Sequence, residues 1–369
     1  MFKRLKYDES LFAATIALAL FGVVMVYSAS AFVAMKESGS VYGYFVRQAA
    51  WMVIGFAAML AGMRIDYRVW RAARIVYPLL GVVVVLLVAV FVFPAINGAH
   101  RWIRFGGMSV QPSELSKLAL VLFLARFLER RAGEEHDFFR TLAPAISVTG
   151  FLIILIVAEP DLGTALILAV GCGVMLFASG ARLLHLGLLA MPVILGVGAL
   201  LMLVPWRLRR MTSFLDPWAD PQGAGYQVTQ SLIAVGSGGV GGLGFAEGRQ
   251  KMFFLPFAHS DFIYAVIGEE LGTLGGLTVI ALFGVLLWRG VSISLRAPER
   301  FGMLLGLGIV MMIVTQALFN ISVTLSMLPT KGIPLPFISY GGSSLVPTLF
   351  SIGILLNISQ HATGREAYK

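Results

Sequence analysis

Asp261 stands where a polar, glycine-rich segment ends and an apolar run begins, just after His259 and Ser260, with Glu269 and Glu270 a few turns deeper. A lone carboxylate there can take the proton of an attacking hydroxyl. Capping is the simpler role for Ser260 and Asp261, since their oxygens satisfy unpaired N–H groups at a helix start. It suffices for Ser260. It is weaker for Asp261, because a carboxylate at the mouth of a membrane helix is costly unless something uses it. Three more polar clusters accompany it. Asn97-Gly-Ala-His-Arg-Trp-Ile-Arg104 leads to Gln111-Pro-Ser-Glu-Leu-Ser-Lys117, where Pro112 and Glu114 suit a helix start and Glu114 and Lys117 stand at i,i+3. An ion pair there falls inside the membrane, where it either lines a cavity or serves structure. Glu159-Pro-Asp-Leu-Gly-Thr164 puts two carboxylates at a tight turn, and Lys331-Gly-Ile-Pro-Leu-Pro-Phe-Ile-Ser-Tyr-Gly-Gly-Ser-Ser344 offers backbone N–H groups suited to an anion. His100 and His259 are the only histidines in these clusters, and with no G-x-S-x-G elbow no triad is evident. Gly236-Ser-Gly-Gly-Val-Gly-Gly-Leu-Gly244 is too glycine-dense for a helix and lacks the lysine of a phosphate-binding loop, which argues against a nucleotide. A flexible re-entrant or anion-cradling backbone fits it.

The elements that must position these residues are membrane helices. The chain is 58% hydrophobic and 13% charged, against about 25% charged in a soluble domain. Apolar runs of about 20 residues indicate an all-α integral membrane fold. Ten spans are expected, near 9–32, 44–63, 74–94, 113–129, 142–159, 162–180, 184–205, 262–288, 302–325 and 341–360, in a single polytopic domain covering 1–369. The first run is too long for a cleaved signal peptide. Residues 206–261 form a long loop between spans seven and eight, with a short amphipathic helix expected from Gln222 to Ile233. Trp206-Arg-Leu-Arg-Arg210 suits an interface anchor, or a contact with anionic headgroups or pyrophosphate. The one cysteine, Cys172, allows no internal disulfide.

The net charge of +9 reflects arginines and lysines in alternate loops. They place both termini in the cytoplasm and the four polar clusters outside; this is the signature of membrane topology, not of nucleic-acid binding. Carboxylates, cations and glycine-rich backbone at one membrane face would suit a substrate with a lipid tail, a pyrophosphate and a sugar.

Tyr27-Ser-Ala-Ser30, Asn97-Gly-Ala with Arg101-Trp-Ile, Gln111 to Lys117, Glu159 to Thr164, Gly225-Tyr-Gln-Val-Thr-Gln-Ser-Leu-Ile-Ala234, Leu255-Pro with His259-Ser-Asp-Phe-Ile263, Glu269-Glu-Leu-Gly272 and Ser339-Tyr-Gly-Gly-Ser-Ser344 together resemble the SEDS family, from the first span to the last. Arg249-Gln-Lys251 is closer to the family's division branch than to its elongation branch. The resemblance implies a ten-helix glycosyltransferase of the cytoplasmic (inner) membrane that polymerises lipid II into peptidoglycan. It implies Asp261 as catalytic residue. Substrate contacts are expected from Arg101, Glu114, Lys117, Glu159, Asp161, His259, Lys331, Ser339, Tyr340, Ser343 and Ser344. A divalent cation, Mg or Mn, would accompany the pyrophosphate, and the metal-binding residues are not identified by sequence. Expected partners are lipid II, undecaprenyl-pyrophosphate-linked glycan, a class B penicillin-binding transpeptidase and division proteins. Phe257 departs from the glutamate usual in the family, and Ser109 from an arginine found in some members. A lipid II flippase is the rival class, since broken helices and intramembrane charge also suit transport; a scaffold activating a transpeptidase is compatible with either. The polar clusters lie near one face and no inverted repeat is evident, which favours catalysis.

Overall fold

A computed structural model describes residues 7–95, 98–105, 108–182, 187, 191 and 212–362. Ten helices lie within them: α1 (Glu9–Ser38), α2 (Gly43–Arg64), α3 (Ala73–Ala89), α4 (Pro112–Arg130), α5 (Ala143–Ala158), α6 (Leu162–Ala178), α7 (Tyr226–Gly238), α8 (Ile263–Leu295), α9 (Arg300–Thr324) and α10 (Gly342–His361). A small antiparallel hairpin of β1 (Ile103–Phe105) and β2 (Met108–Val110), with Ile103 opposite Val110, leads into α4. Seven helical segments, α1, α2, α8, α9, α10 and the longer stretches containing α3 and α5, are long and apolar enough to cross a membrane. The chain is a multi-pass membrane protein. Helices also stand at two more of the expected spans without meeting that length and composition: α4 carries Glu114, Lys117, Arg126, Glu129 and Arg130, and α6 is short at 17 residues. The expected span at 184–205, like Trp206–Arg210, falls outside the described residues apart from 187 and 191.

α9 runs through the middle of the bundle and is largely buried, packed against α4, α6, α8 and α10. α10 lies along α2 at backbone contact; a β-carbon on Gly353 would fall 2.3 Å from the carbonyl of Met59. Asp8 closes the far end. It caps α1 by accepting from the N–H of Leu11 at 2.9 Å and takes Nη2 of Arg289 at 2.5 Å, joining α1 to α8.

α8 is broken at Gly272, whose φ of 65° and ψ of −165° are outside any helix. The glycine-dense segment fills the break. The N–H groups of Leu243 and Gly244 donate to the carbonyls of Glu269 and Glu270, while those of Thr273 and Leu274 donate to Gly239 and Val240. A β-carbon on Gly238 would fall 1.9 Å from the carbonyl of Gly268, and one on Gly242 2.1 Å from that of Glu270. Glycine is required because two backbones touch, and these N–H groups serve α8 instead of cradling an anion. Gly236 to Gly238, expected to be non-helical, form the last residues of α7.

Candidate active site

The turn carrying Asp261 is held from several sides. Its backbone carbonyl accepts from Nδ2 of Asn320 on α9 at 2.8 Å, and the same amide donates to the carbonyl of Ile333 at 2.7 Å. Ser339 donates through Oγ to the carbonyl of Ser260 at 2.5 Å and accepts from the N–H of Leu335. The N–H of Tyr340 donates to the carbonyl of His259 at 3.0 Å. Gln48 on α2 donates to the Ser339 carbonyl and accepts from the N–H of Gly341, both at 3.2 Å. The His259–Asp261 and Lys331–Ser344 clusters therefore form one surface.

The carboxylate of Asp261 lies against Gly332. A β-carbon at 332 would sit 3.0 Å from Oδ2 of Asp261 and 3.9 Å from Nη1 of Arg101. A bare glycine lets carboxylate and guanidinium converge, with Lys331 next in the chain. Arg101 is aimed from the other side, donating through Nε to the carbonyl of Glu159 at 3.2 Å and through Nη2 to that of Pro160. The Asn97–Lys117 and Glu159–Thr164 clusters thus reach the surface made by the other two.

The carboxylates of the Glu159 turn have different environments. Asp161 is saturated: it accepts from the N–H and hydroxyl of Thr164, from Nε2 of Gln111 and from Oγ of Ser113, at 2.9–3.3 Å. It caps α6 and fastens the start of α4. Both oxygens of Glu159 are fully buried with no hydrogen-bond partner among the described residues. Burial, followed by the charge of Asp161, raises its pKa to about 8 against the opposing pull of Arg101.

Glu114 and Lys117 form the expected pair, with Nζ 2.7 Å from Oε2 of Glu114 and 2.5 Å from Oε1 of Gln316. Both side chains are buried, and they line a cavity of about 30 Å³ together with Gln316, Thr348 and Ser351. Asp261 does not line it. The connection is indirect: Gln316 donates to the carbonyl of Pro334, two residues from Gly332, at 2.8 Å.

His259 packs as an aromatic. Its ring lies 4.9 Å from that of Tyr44 and 5.9 Å from that of Tyr340, which are themselves 4.8 Å apart. Burial lowers its pKa to about 4, so the ring is neutral near pH 7. Nδ1 has no partner among the described residues, and neither has Oγ of Ser343. Ser344 is buried in the first turn of α10, its N–H bonded to the carbonyl of Gly341 and its own carbonyl accepting from Thr348.

Several supporting residues are not apparent as site residues from sequence: Gln48, Asn320, Gln316, and the group Ser28, Lys251 and Glu270. Nζ of Lys251 lies 2.6 Å from Oε1 of Glu270 and 2.8 Å from Oγ of Ser28, and the Ser28 hydroxyl donates to Glu270 at 2.7 Å. Glu269 accepts from the N–H groups of Arg249 and Gln250. Together they fasten the loop that ends at Asp261 to α1 and α8. The sequence does contain a signal, since Ser28 and Lys251 lie within two of the motifs that carry the family resemblance.

Residues 8–364 match the cell cycle protein family of FtsW, RodA and SpoVE. A probable peptidoglycan glycosyltransferase FtsW of Geobacter metallireducens is 44% identical over 97% of this chain and 96% of its own. Stage V sporulation protein E of Bacillus subtilis is 41% identical over 98% and 99%. Among solved structures, a chain from a peptidoglycan synthase complex that coordinates polymerization and crosslinking superposes with a TM-score of 0.79 at 29% identity, covering 99% of both chains. The rod shape determining protein RodA of Thermus thermophilus gives 0.71 at 29%, covering 98% and 99%. With motifs, fold and near-full-length relatives in agreement, the chain belongs to the FtsW/RodA/SpoVE family of cell cycle proteins and is of the FtsW type.

Proposed function

We propose that this chain is a peptidoglycan glycosyltransferase of cell division, polymerising lipid II at the outer face of the cytoplasmic membrane, with both termini in the cytoplasm. The observation that carries the reading is the convergence of Asp261 and Arg101 over Gly332. The 4-hydroxyl of the GlcNAc of lipid II attacks the anomeric carbon of the lipid-linked glycan. Asp261 takes the hydroxyl proton, the new C–O bond forms, and the bond to undecaprenyl pyrophosphate breaks. Arg101, held by two carbonyls, presents Nη1 on the side where pyrophosphate charge develops. Among the described residues no three His, Cys, Asp or Glu side chains gather as a metal site. Mg or Mn would fit as a cation held by Asp261 and the substrate's own phosphates, supplying charge neutralisation. The proposed partner is a class B penicillin-binding transpeptidase, in keeping with the synthase complex whose chain this fold matches.

The test is the purified full chain with lipid II, with and without such a transpeptidase, assayed for glycan chains. Chains made by the wild type and lost in Asp261→Asn are the expected result. Lipid II translocation without polymerisation under every condition would overturn the reading in favour of a flippase.

A further inference from the structure

The end of the bundle away from Asp261 holds a second feature. α2 and α4 each run from the site, at Gln48 and Gln111, down to Arg64 and Arg130. There they border an open cleft of about 590 Å³, into which Asp66, Arg68, Arg71, Arg74, Arg126 and Arg130 project. Five arginines face one aspartate. Arg68 pairs with Glu299 at 2.6 Å and with Asp66, and Arg71 pairs with Glu129 and Glu299 at 3.1 and 3.2 Å. Arg74 and Arg130 are exposed and make no ion pair among the described residues.

Arg126 is different, with a relative exposure of only 5%. It lies 5.8 Å from the ring of Tyr77 and donates through Nη1 to the carbonyl of Arg71. Its buried Nε–H has no acceptor among the described residues. A buried guanidinium with an unused donor, lining a cleft rich in positive charge, calls for an anion. The start of α3 adds to this. Its N-cap, Ala72, supplies no side-chain acceptor, and Ala72, Ala73 and Arg74 line the same cleft, so the positive end of the helix dipole opens on it.

The surroundings identify the source of the anion. Ile65, Val69 and Tyr77 are exposed beside the cleft, and the exposed Val82, Val85 and Val88 continue along α3. A soluble phosphate would make no use of that apolar surface, whereas a lipid would place its acyl chains on it. We infer that this cleft binds the phosphate of an anionic phospholipid from the leaflet on the arginine-rich face, with Arg126 donating from below and Arg74 and Arg130 closing over the headgroup. Basic pockets between membrane helices have the chemistry for such headgroups.

The full chain in neutral detergent is titrated with phosphatidylglycerol, phosphatidylcholine or inorganic phosphate, with binding followed by native mass spectrometry and by thermal unfolding. The wild type is expected to prefer phosphatidylglycerol and to unfold at higher temperature with it. Arg74→Gln combined with Arg130→Gln, both exposed and outside the packing, is expected to weaken phosphatidylglycerol between about tenfold and thirtyfold. Arg126→Gln should show the same loss, and the exposed pair still tests the site if that variant fails to fold. No preference in the wild type, or an unchanged preference in the Arg74 and Arg130 variant, overturns the inference. So does inorganic phosphate binding as tightly as phosphatidylglycerol, which would make this a soluble-anion site.

Discussion

The ammonium of Lys251 lies 2.6 Å from the carboxylate of Glu270, and both side chains are almost completely buried. This pair fastens the segment leading to Asp261 onto α8, with Ser28 of α1 as a third partner. Lys251→Met should strand a buried carboxylate and destabilise the fold by about 3–5 kcal/mol. Adding Glu270→Gln should recover part of that loss. Thermal unfolding of the two variants checks this, and a Lys251→Met protein as stable as wild type would refute it.

Asp261→Asn should lower the polymerisation rate by roughly 10²–10⁴ with the fold intact. Asparagine keeps the size of the side chain but takes no proton, and α8 starts at Ile263 behind Phe262 with no side-chain cap to lose. Gly332→Ala should also reduce the rate, because the added methyl would come within 3.0 Å of Oδ2 of Asp261. Single-turnover glycan synthesis measures both. Wild-type rates in Asp261→Asn would refute its role as the base.

Glu159 gives a pH dependence of stability. Its folded pKa, about 8, lies above its ordinary value of 4.5. The folded state therefore holds this proton more tightly, and the contribution of Glu159 to stability is complete below pH 4.5. That contribution is lost as pH rises towards 8, by at most about 1.4 kcal/mol per pH unit. Glu159→Gln should flatten that slope. Unfolding midpoints of both proteins at pH 5, 6, 7 and 8 provide the comparison, and parallel curves would remove Glu159 as the cause.

His259→Phe should keep most of the polymerisation activity because the cluster with Tyr44 and Tyr340 needs a ring. His259→Ala should destabilise the Asp261 turn by about 1–2 kcal/mol through the loss of two ring contacts. The wild-type pKa of about 4 is depressed below the ordinary 6.5. Its stabilising contribution is complete above pH 6.5 and is lost as pH falls towards 4, a loss that His259→Phe should abolish. Equal loss of activity in both variants with unchanged stability would instead mark the imidazole as a substrate contact.

The orientation has its own test. Cys172 is buried and Gln222 is exposed. With Cys172→Ser in place, Gln222→Cys should react with an impermeant thiol reagent on intact cells. Labelling only after lysis would invert the proposed topology.

Hydropathy made the span positions legible, because a run of apolar residues about 20 long has few other uses. The ends were less so. α8 continues to Leu295, past the expected limit of 288, because Arg289 pairs with Asp8 instead of ending the helix. The Glu114–Lys117 pair was readable because i,i+3 geometry is local. Its third member, Gln316, lies 199 residues away and was not. Asp161 and Glu159 illustrate the same limit. Both are carboxylates at one turn, yet one is saturated by Thr164, Gln111 and Ser113 and the other has no hydrogen-bond partner among the described residues. That difference depends on which neighbours the fold brings, not on the motif. The glycines of 236–244 were visible as an anomaly, but their purpose appears only with α8 beside them.

In an unbroken helix, inserting one residue rotates everything beyond it by about 100°. At Gly272 that transmission stops, because Gly239, Val240, Leu243 and Gly244 provide the hydrogen bonds on both sides of the interruption. The compass bearing of Glu269 and Glu270 is therefore set by the loop and by Lys251, not by the turns from Thr273 to Leu295. A rotation of the half of α8 beyond Gly272, which has its own anchors such as Arg289 on Asp8, is not passed along the helix to the turn that holds Asp261 against Arg101.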